Sequence, residues 1–176
     1  GGTLADLAIL VVDITEGFKP QTLEAVDILK KAKTPFIIAA NKTDLVKGFT
    51  QKQGTLLQQL GQQSEKVNTE LETKLYELVG TLHDRYGLQA ERFDRIEDFT
   101  KQVAIIPCSA KTGLGLQELL MTLTGLAQKY LEHYLSMDAE GPGKGVILEV
   151  KEEKGLGTTL DLILHDGTIR VGDTIV

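Results

Sequence analysis

The sequence predicts an α/β fold: a parallel sheet with flanking helices, followed by the opening of an antiparallel β-barrel. Three observations carry this. Three continuous apolar runs, each stopped by polar residues, alternate with stretches of helical periodicity as far as Leu135. Such runs suit strands covered on both faces, and their alternation with helices implies parallel βαβ units. The segment Ser136–Gly145, SMDAEGPGKG, then interrupts the pattern as a linker. Beyond it apolar residues recur at every second position, the period of half-buried strands. The expected division is therefore residues 1–136, a linker over 137–145, and a barrel beginning at 146–176.

The elements follow in order. Residues 7–12, LAILVV, form the first strand and end at Asp13. Pro20 suits the first position of a helix over 21–33, with Leu23, Val26 and Leu29 facing inward, Ile28 a further candidate for that face, and lysines crowding the last turn. Thr34-Pro35 stops that helix, and Phe36–Ala40 is the second strand. Residues 51–88 read as two helices divided near Gly61–Ser64; Val67, Leu71, Leu75, Leu78, Leu82 and Tyr86 make one apolar face, and Gly87 is a stop. Residues 91–101 read as a helical turn or two. Val103–Pro107 is the third strand, and a long helix runs from after Gly115 to about Leu135. In the last part Val146, Leu148 and Val150 alternate, as do Leu160, Leu162 and Leu164. Asp166-Gly167 signals a hairpin, with short strands at 168–171 and 174–176.

Composition excludes some classes of function. The formal net charge is −6, which argues against a general nucleic-acid clamp. No apolar run approaches the roughly 20 residues that span a bilayer, and no secretory leader is visible, so a cytoplasmic setting is expected. A single cysteine, Cys108, rules out an intramolecular disulfide and reads as a small buried hydrophobe. Asp13 and Glu16 read as a strand end and a turn. His83, His133 and His165 lack ligand spacing, and no catalytic or metal-binding residue is assigned.

The chemistry concentrates in two loops. The second strand ends in Asn41-Lys42-Thr43-Asp44 and the third in Cys108-Ser109-Ala110-Lys111. A solvated turn explains the first, because Asn and Asp bond nearby backbone. The N-K-x-D pattern arises by chance in roughly one chain of this length in fifty. A pocket for a flat heterocycle explains it as well. Right-handed crossovers put all three strand ends on one edge of the sheet, where ligands of open α/β sheets bind. A guanine offers N1–H and an exocyclic amine, which the Asp44 carboxylate can accept in a fork. Adenine would leave that carboxylate unpaired, a rejection that can reach ~10⁴-fold. The Ala110 N–H can meet guanine O6, Asn41 can bond N7 or bridge the loops, and Lys42 and Lys111 can lay their stems over the ring faces with wet ammoniums.

Asn41-Lys42-Thr43-Asp44 with Ser109-Ala110-Lys111 resembles the guanine-recognition pair of the P-loop GTPases. VVDITEGFKPQTLEA is similar to a strand and helix of translational GTPases. AERFDRIEDFTKQVAIIPCSAKTGLGLQELL and ILEVKEEKGLGTTLDLILHDGTIRVGDTIV resemble the family of archaeal and eukaryotic initiation factor 5B and bacterial initiation factor 2, and the lysine of S-A-K favours an archaeal source. The resemblance implies the C-terminal half of a G domain plus the start of the barrel that follows it. It implies GTP or GDP as ligand, and as partners the ribosomal subunits, initiator tRNA and other initiation factors, with the factor acting as a monomer. It assigns Asn41, Lys42, Asp44, Ser109, Ala110 and Lys111 to the nucleotide.

The pattern departs from that family in one respect. No G-x-x-x-x-G-K-[ST] loop or switch threonine is present, and the family's Asp-x-x-Gly loop and catalytic His are expected upstream of Gly1. The expectation is thus a segment of a longer GTPase, inactive alone, with Mg²⁺ held only by residues outside this chain. The competing reading is a ribosome-docking or scaffold module that binds no nucleotide; a different translational GTPase is a third.

Overall fold

In a computed structural model the described residues are 7–134, 142–153, 155 and 157–174. The chain divides into two compact units, residues 1–129 and 130–176.

The first unit is built on a parallel sheet. Strand β1 (Ala8–Asp13) leads to helix α1 (Pro20–Lys31) and strand β2 (Phe36–Asn41). Pro20 occupies the start of α1 as expected, and Lys33 turns the chain out of it at φ 54°. Helix α2 (Leu56–Gly61) and helix α3 (Glu65–Tyr86) follow. Both have side-chain caps: Thr55 forms a reciprocal capping box with Gln58, and Ser64 accepts from the Val67 N–H. The capping box starts α2 at Leu56, so residues 51–55 are not helical as the sequence reading expected. Gly87 ends α3 in the left-handed conformation. Leu71, Leu75, Leu78 and Leu82 are all buried along its inner face.

Strand β3 (Gln89–Arg92) corrects the expectation of helical turns from residue 91. It pairs in parallel with strand β4 (Gln102–Pro107), from Gln89 opposite Gln102 to Arg92 opposite Ile105. Ion pairs hold it there. Arg92 reaches Glu72 on α3 at 2.6 Å and Asp94 at 2.6 Å, and Arg95 also meets Glu72 at 2.8 Å. A helical turn follows only at Phe93–Arg95. The sheet order is β1-β2-β4-β3, and helix α4 (Leu116–Tyr134) succeeds β4.

Ile37, Ile38, Ala40, Ala104, Ile105 and Ile106 are at most 1% exposed, so the middle strands are the core; Val26, Leu82 and Leu126 of the helices are buried too, whereas Ile28, the further candidate on α1, is 42% exposed. Burying aliphatic surface on this scale is the main force holding the sheet.

The second unit contains a long antiparallel hairpin. Strand β5 (Lys144–Glu153) pairs with strand β6 (Gly157–Asp166), with register shifts at Lys144/Gly145 and Ile147/Glu149. The additional strand expected at 168–171 is not formed. Instead Thr168 makes an isolated bridge to Pro142. Gly143 allows this return, because a Cβ there would lie 2.3 Å from Ile169 Cγ1. Parts of the linker and of the last expected strand lie outside the described residues.

Candidate functional site

The sheet aligns its strand tips. Asp13 stands opposite Asn41 between β1 and β2, and Ala40 opposite Pro107 between β2 and β4. The hydrogen-bond ladder then continues past the strand ends. The Ile14 N–H donates to Asn41 O at 2.9 Å, the Cys108 N–H to Ala40 O at 2.9 Å, and the Thr43 N–H to Cys108 O at 3.0 Å. Three loops are thus tied to one edge.

The first loop makes a tight turn. Lys42 adopts the left-handed conformation at φ 67°, and Thr43–Leu45 forms a single 3-10 turn. Thr43 is fully buried, and its hydroxyl donates to Ala40 O at 3.1 Å. The unassigned position of the N-K-x-D pattern is therefore the one that locks the turn to its strand. Asp44 is half-buried, and its carboxylate forms no hydrogen bond or ion pair among the described residues.

The second loop is organised around Ser109. Its side chain is buried; its Oγ accepts from the Thr112 N–H at 3.2 Å, its carbonyl from the Gly113 N–H at 2.9 Å, and its own N–H donates to Leu114 O at 2.9 Å. Gly115 follows at φ 71°, where a Cβ would lie 2.2 Å from Pro107 O. Only glycine fits that crossing between the loop and the strand. Ala110 and Lys111 are left exposed at the tip.

The structure brings the two loops together. The Ala110 N–H donates to Asn41 Oδ1 at 2.9 Å, across 69 residues of sequence. Of the two roles open to Asn41, bridging is the one seen here. The bond also engages the Ala110 N–H that the sequence reading reserved for a purine oxygen. Lys42 differs from expectation too. Its ammonium is not simply solvated but meets Asp13 Oδ2 at 2.7 Å.

Asp13 is the residue that sequence reasoning passed over. Its Oδ1 accepts from both the N–H of Thr15, at 2.9 Å, and the Thr15 hydroxyl, at 2.6 Å. Partial burial works to raise the Asp13 pKa, but the hydrogen bonds from Lys42 and Thr15 together outweigh it and hold the carboxyl below its ordinary value. The bond from Asp13 correspondingly raises the Lys42 pKa. The available signal was position: a carboxylate at the end of a strand, on the edge where both loops lie.

Burial pushes the Cys108 thiol up to about 11, so it carries no thiolate at neutral pH. Among the described residues no group of three or more His, Cys, Asp or Glu is placed to hold a metal ion. A shallow groove along α3 includes Asn68 and Glu72. Both are already satisfied, by Leu60 O and by Arg92 and Arg95.

A parallel α/β sheet with two polar loops meeting at the C-terminal edge of its strands is the class of domain that binds ligands at that edge. Residues 1–129 match the Elongation factor Tu GTP binding domain, and the chain belongs to that family. Over its full length it is 57% identical to a probable translation initiation factor IF-2 of Methanoculleus marisnigri and 58% identical to that of Methanopyrus kandleri. It spans 30% and 29% of those two proteins. Among solved structures it is similar to GDP-bound aIF5B from Aeropyrum pernix, at 51% identity and a TM-score of 0.71, over 93% of this chain and 27% of that one.

Proposed function

We propose that this chain provides guanine recognition for a translation initiation GTPase. One observation supports this most: the Asn41–Ala110 hydrogen bond at 2.9 Å, which sets the two loops side by side with the Asp44 carboxylate unengaged among the described residues. A half-buried carboxylate with no partner is suited to a ligand that brings its own donors. In this reading Asp44 accepts guanine N1–H and the exocyclic amine. Guanine O6 becomes a second acceptor for the Ala110 N–H, shared with Asn41 Oδ1. Asn41 keeps its Nδ2 donors for N7. Lys42 and Lys111 cover the ring faces with their methylene stems, and Ser109 acts by holding its turn closed.

In the complete factor the activity is GTP hydrolysis during initiation, with ribosomal subunits and initiator tRNA as partners, in the cytoplasm and as a monomer. The chain spans under a third of the relatives it matches, and those roles belong to the whole protein. Mg²⁺ is left to residues outside this chain: Asp13 is already bound to Lys42 and Thr15, and in this reading Asp44 is taken by the guanine.

The test is titration of a fluorescent guanine nucleotide against the full-length factor and its Asp44→Asn variant. Losing a charged acceptor is expected to weaken binding by about 10- to 100-fold and to relax the preference for guanine over adenine. Unchanged affinity and unchanged preference would sink the assignment. Tight binding to neither protein would favour the scaffold reading.

A further inference from the structure

We propose that Asp13 is a positioning residue for nucleotide binding, acting through Lys42, whose ammonium it holds in one orientation on the β1 side of the N-K-x-D turn. The inference rests on the guanine-recognition reading above and adds to it a residue at the end of a third strand.

Asp13 ends β1 directly opposite Asn41, and the Ile14 N–H donates to Asn41 O. Register therefore places the Asp13 carboxylate beside the residue that precedes Lys42. Its two oxygens divide their work. Oδ1 is held by the N–H and hydroxyl of Thr15, and Oδ2 is left for the Lys42 ammonium at 2.7 Å. The backbone of Asp13 is fixed as well, its carbonyl accepting from the Gly17 N–H at 2.8 Å. A carboxylate bound on one oxygen and anchored through its backbone is a rigid acceptor, not a loose surface charge.

Lys42 is the flexible partner. It is one of two described non-glycine residues with positive φ, at 67°. Its side chain is 51% exposed, and that of Asp13 is 18% exposed. Ion pairs this open to water contribute little to stability. The neighbouring acid, Glu16, is occupied by Lys19 at 3.3 Å. An arrangement that adds little to folding, yet fixes a long side chain at a recognition turn, acts on binding. Immobilising a free lysine when ligand arrives costs affinity, and a lysine already oriented avoids most of that cost.

The experiment is a double-mutant cycle in the full-length factor, reading guanine nucleotide affinity for Asp13→Asn, Lys42→Met and the pair, with Asp44→Asn alongside. Asp13→Asn is expected to weaken binding by about 3- to 10-fold, the range for one ordered side chain. In the Lys42→Met background the same change should have no further effect. Thr15→Val, which removes one anchor of Oδ1, should give a smaller loss that also vanishes in that background. Equal losses in both backgrounds would show that Asp13 does not act through Lys42 and would overturn the inference. An effect of Asp44→Asn with none from Asp13→Asn would overturn the inference and leave guanine recognition standing. If neither variant weakens binding, both readings fall. Should Asp13→Asn unfold the protein, Thr15→Val against Lys42→Met decides by the same comparison.

Discussion

Strand β2 and the β5–β6 hairpin are both rich in aliphatic residues, yet they meet water very differently. All five residues from Phe36 to Ala40 are buried. In the hairpin Val146, Val150 and Ile163 are each more than half exposed, and Ile147, which alternation sends to the face opposite Val146, is 49% exposed. Both segments obey the strand patterns that sequence can express. The difference lies in the layers around them. Helices connecting parallel strands cover β2 from above and below, whereas an antiparallel hairpin carries no such cover in its own connections. Apolar pattern specifies a strand; burial also requires a second layer to meet it.

The largest expected effect comes from removing side-chain volume in each region. Ile105→Ala, at a fully buried position in β4, should cost about 2–5 kcal/mol in urea unfolding. Ile163→Ala in the hairpin, at 56% exposure, should cost less than about 0.5 kcal/mol. Similar costs at the two sites would mean that the hairpin is as firmly packed as the sheet.

A glycine pair probes the same contrast at smaller scale. A Cβ added at Gly115 meets the Pro107 carbonyl, which belongs to the core sheet, and does so at positive φ. One added at Gly143 meets Ile169 Cγ1 at 2.3 Å, a side-chain atom, so that side chain and not backbone must turn aside. Gly115→Ala should therefore cost about 2–3 kcal/mol and Gly143→Ala about 1 kcal/mol or less, read from the same unfolding curves.

The smallest effect concerns pH. Asp98 precedes β4, and its Oδ1 accepts from the Thr100 hydroxyl at 2.6 Å and N–H at 2.9 Å, which depresses its pKa to about 2. A depressed carboxyl stabilises the fold above its unfolded value, and that contribution is lost as pH falls through the folded value. An NMR titration should find its midpoint near 2, and Asp98→Asn should shift stability slightly at neutral pH and not at all below pH 2.

Much of the sheet was readable in the sequence because β1, β2 and β4 are continuous apolar runs whose lengths match strands. Strand β3 was not. Gln89-Ala90-Glu91-Arg92 holds no β-branched or aromatic residue, and its place is set by Arg92 reaching Glu72 twenty positions away. The hairpin register was hidden too: one shift falls at Gly145, where a Cβ would lie 2.6 Å from Ile163 O, and neither it nor the shift at Ile147/Glu149 follows from alternation. At the site, both loops and their common edge could be deduced from topology. The bond joining Asn41 to Ala110 could be named only as one of two options. The Asp13–Lys42 pair was missed, because a strand-ending carboxylate has no meaning until the register of its neighbour is known.

The ladder that runs past the strand ends has a consequence for motion. Amides of Ile14, Thr43 and Cys108 lie in the loop edge but are bonded as if they were inside strands. Their hydrogens should exchange slowly, together with the strands they extend and not with the fraying periphery, which native-state hydrogen exchange would read. A planar ligand arriving at this edge meets turns that were ordered when the chain folded.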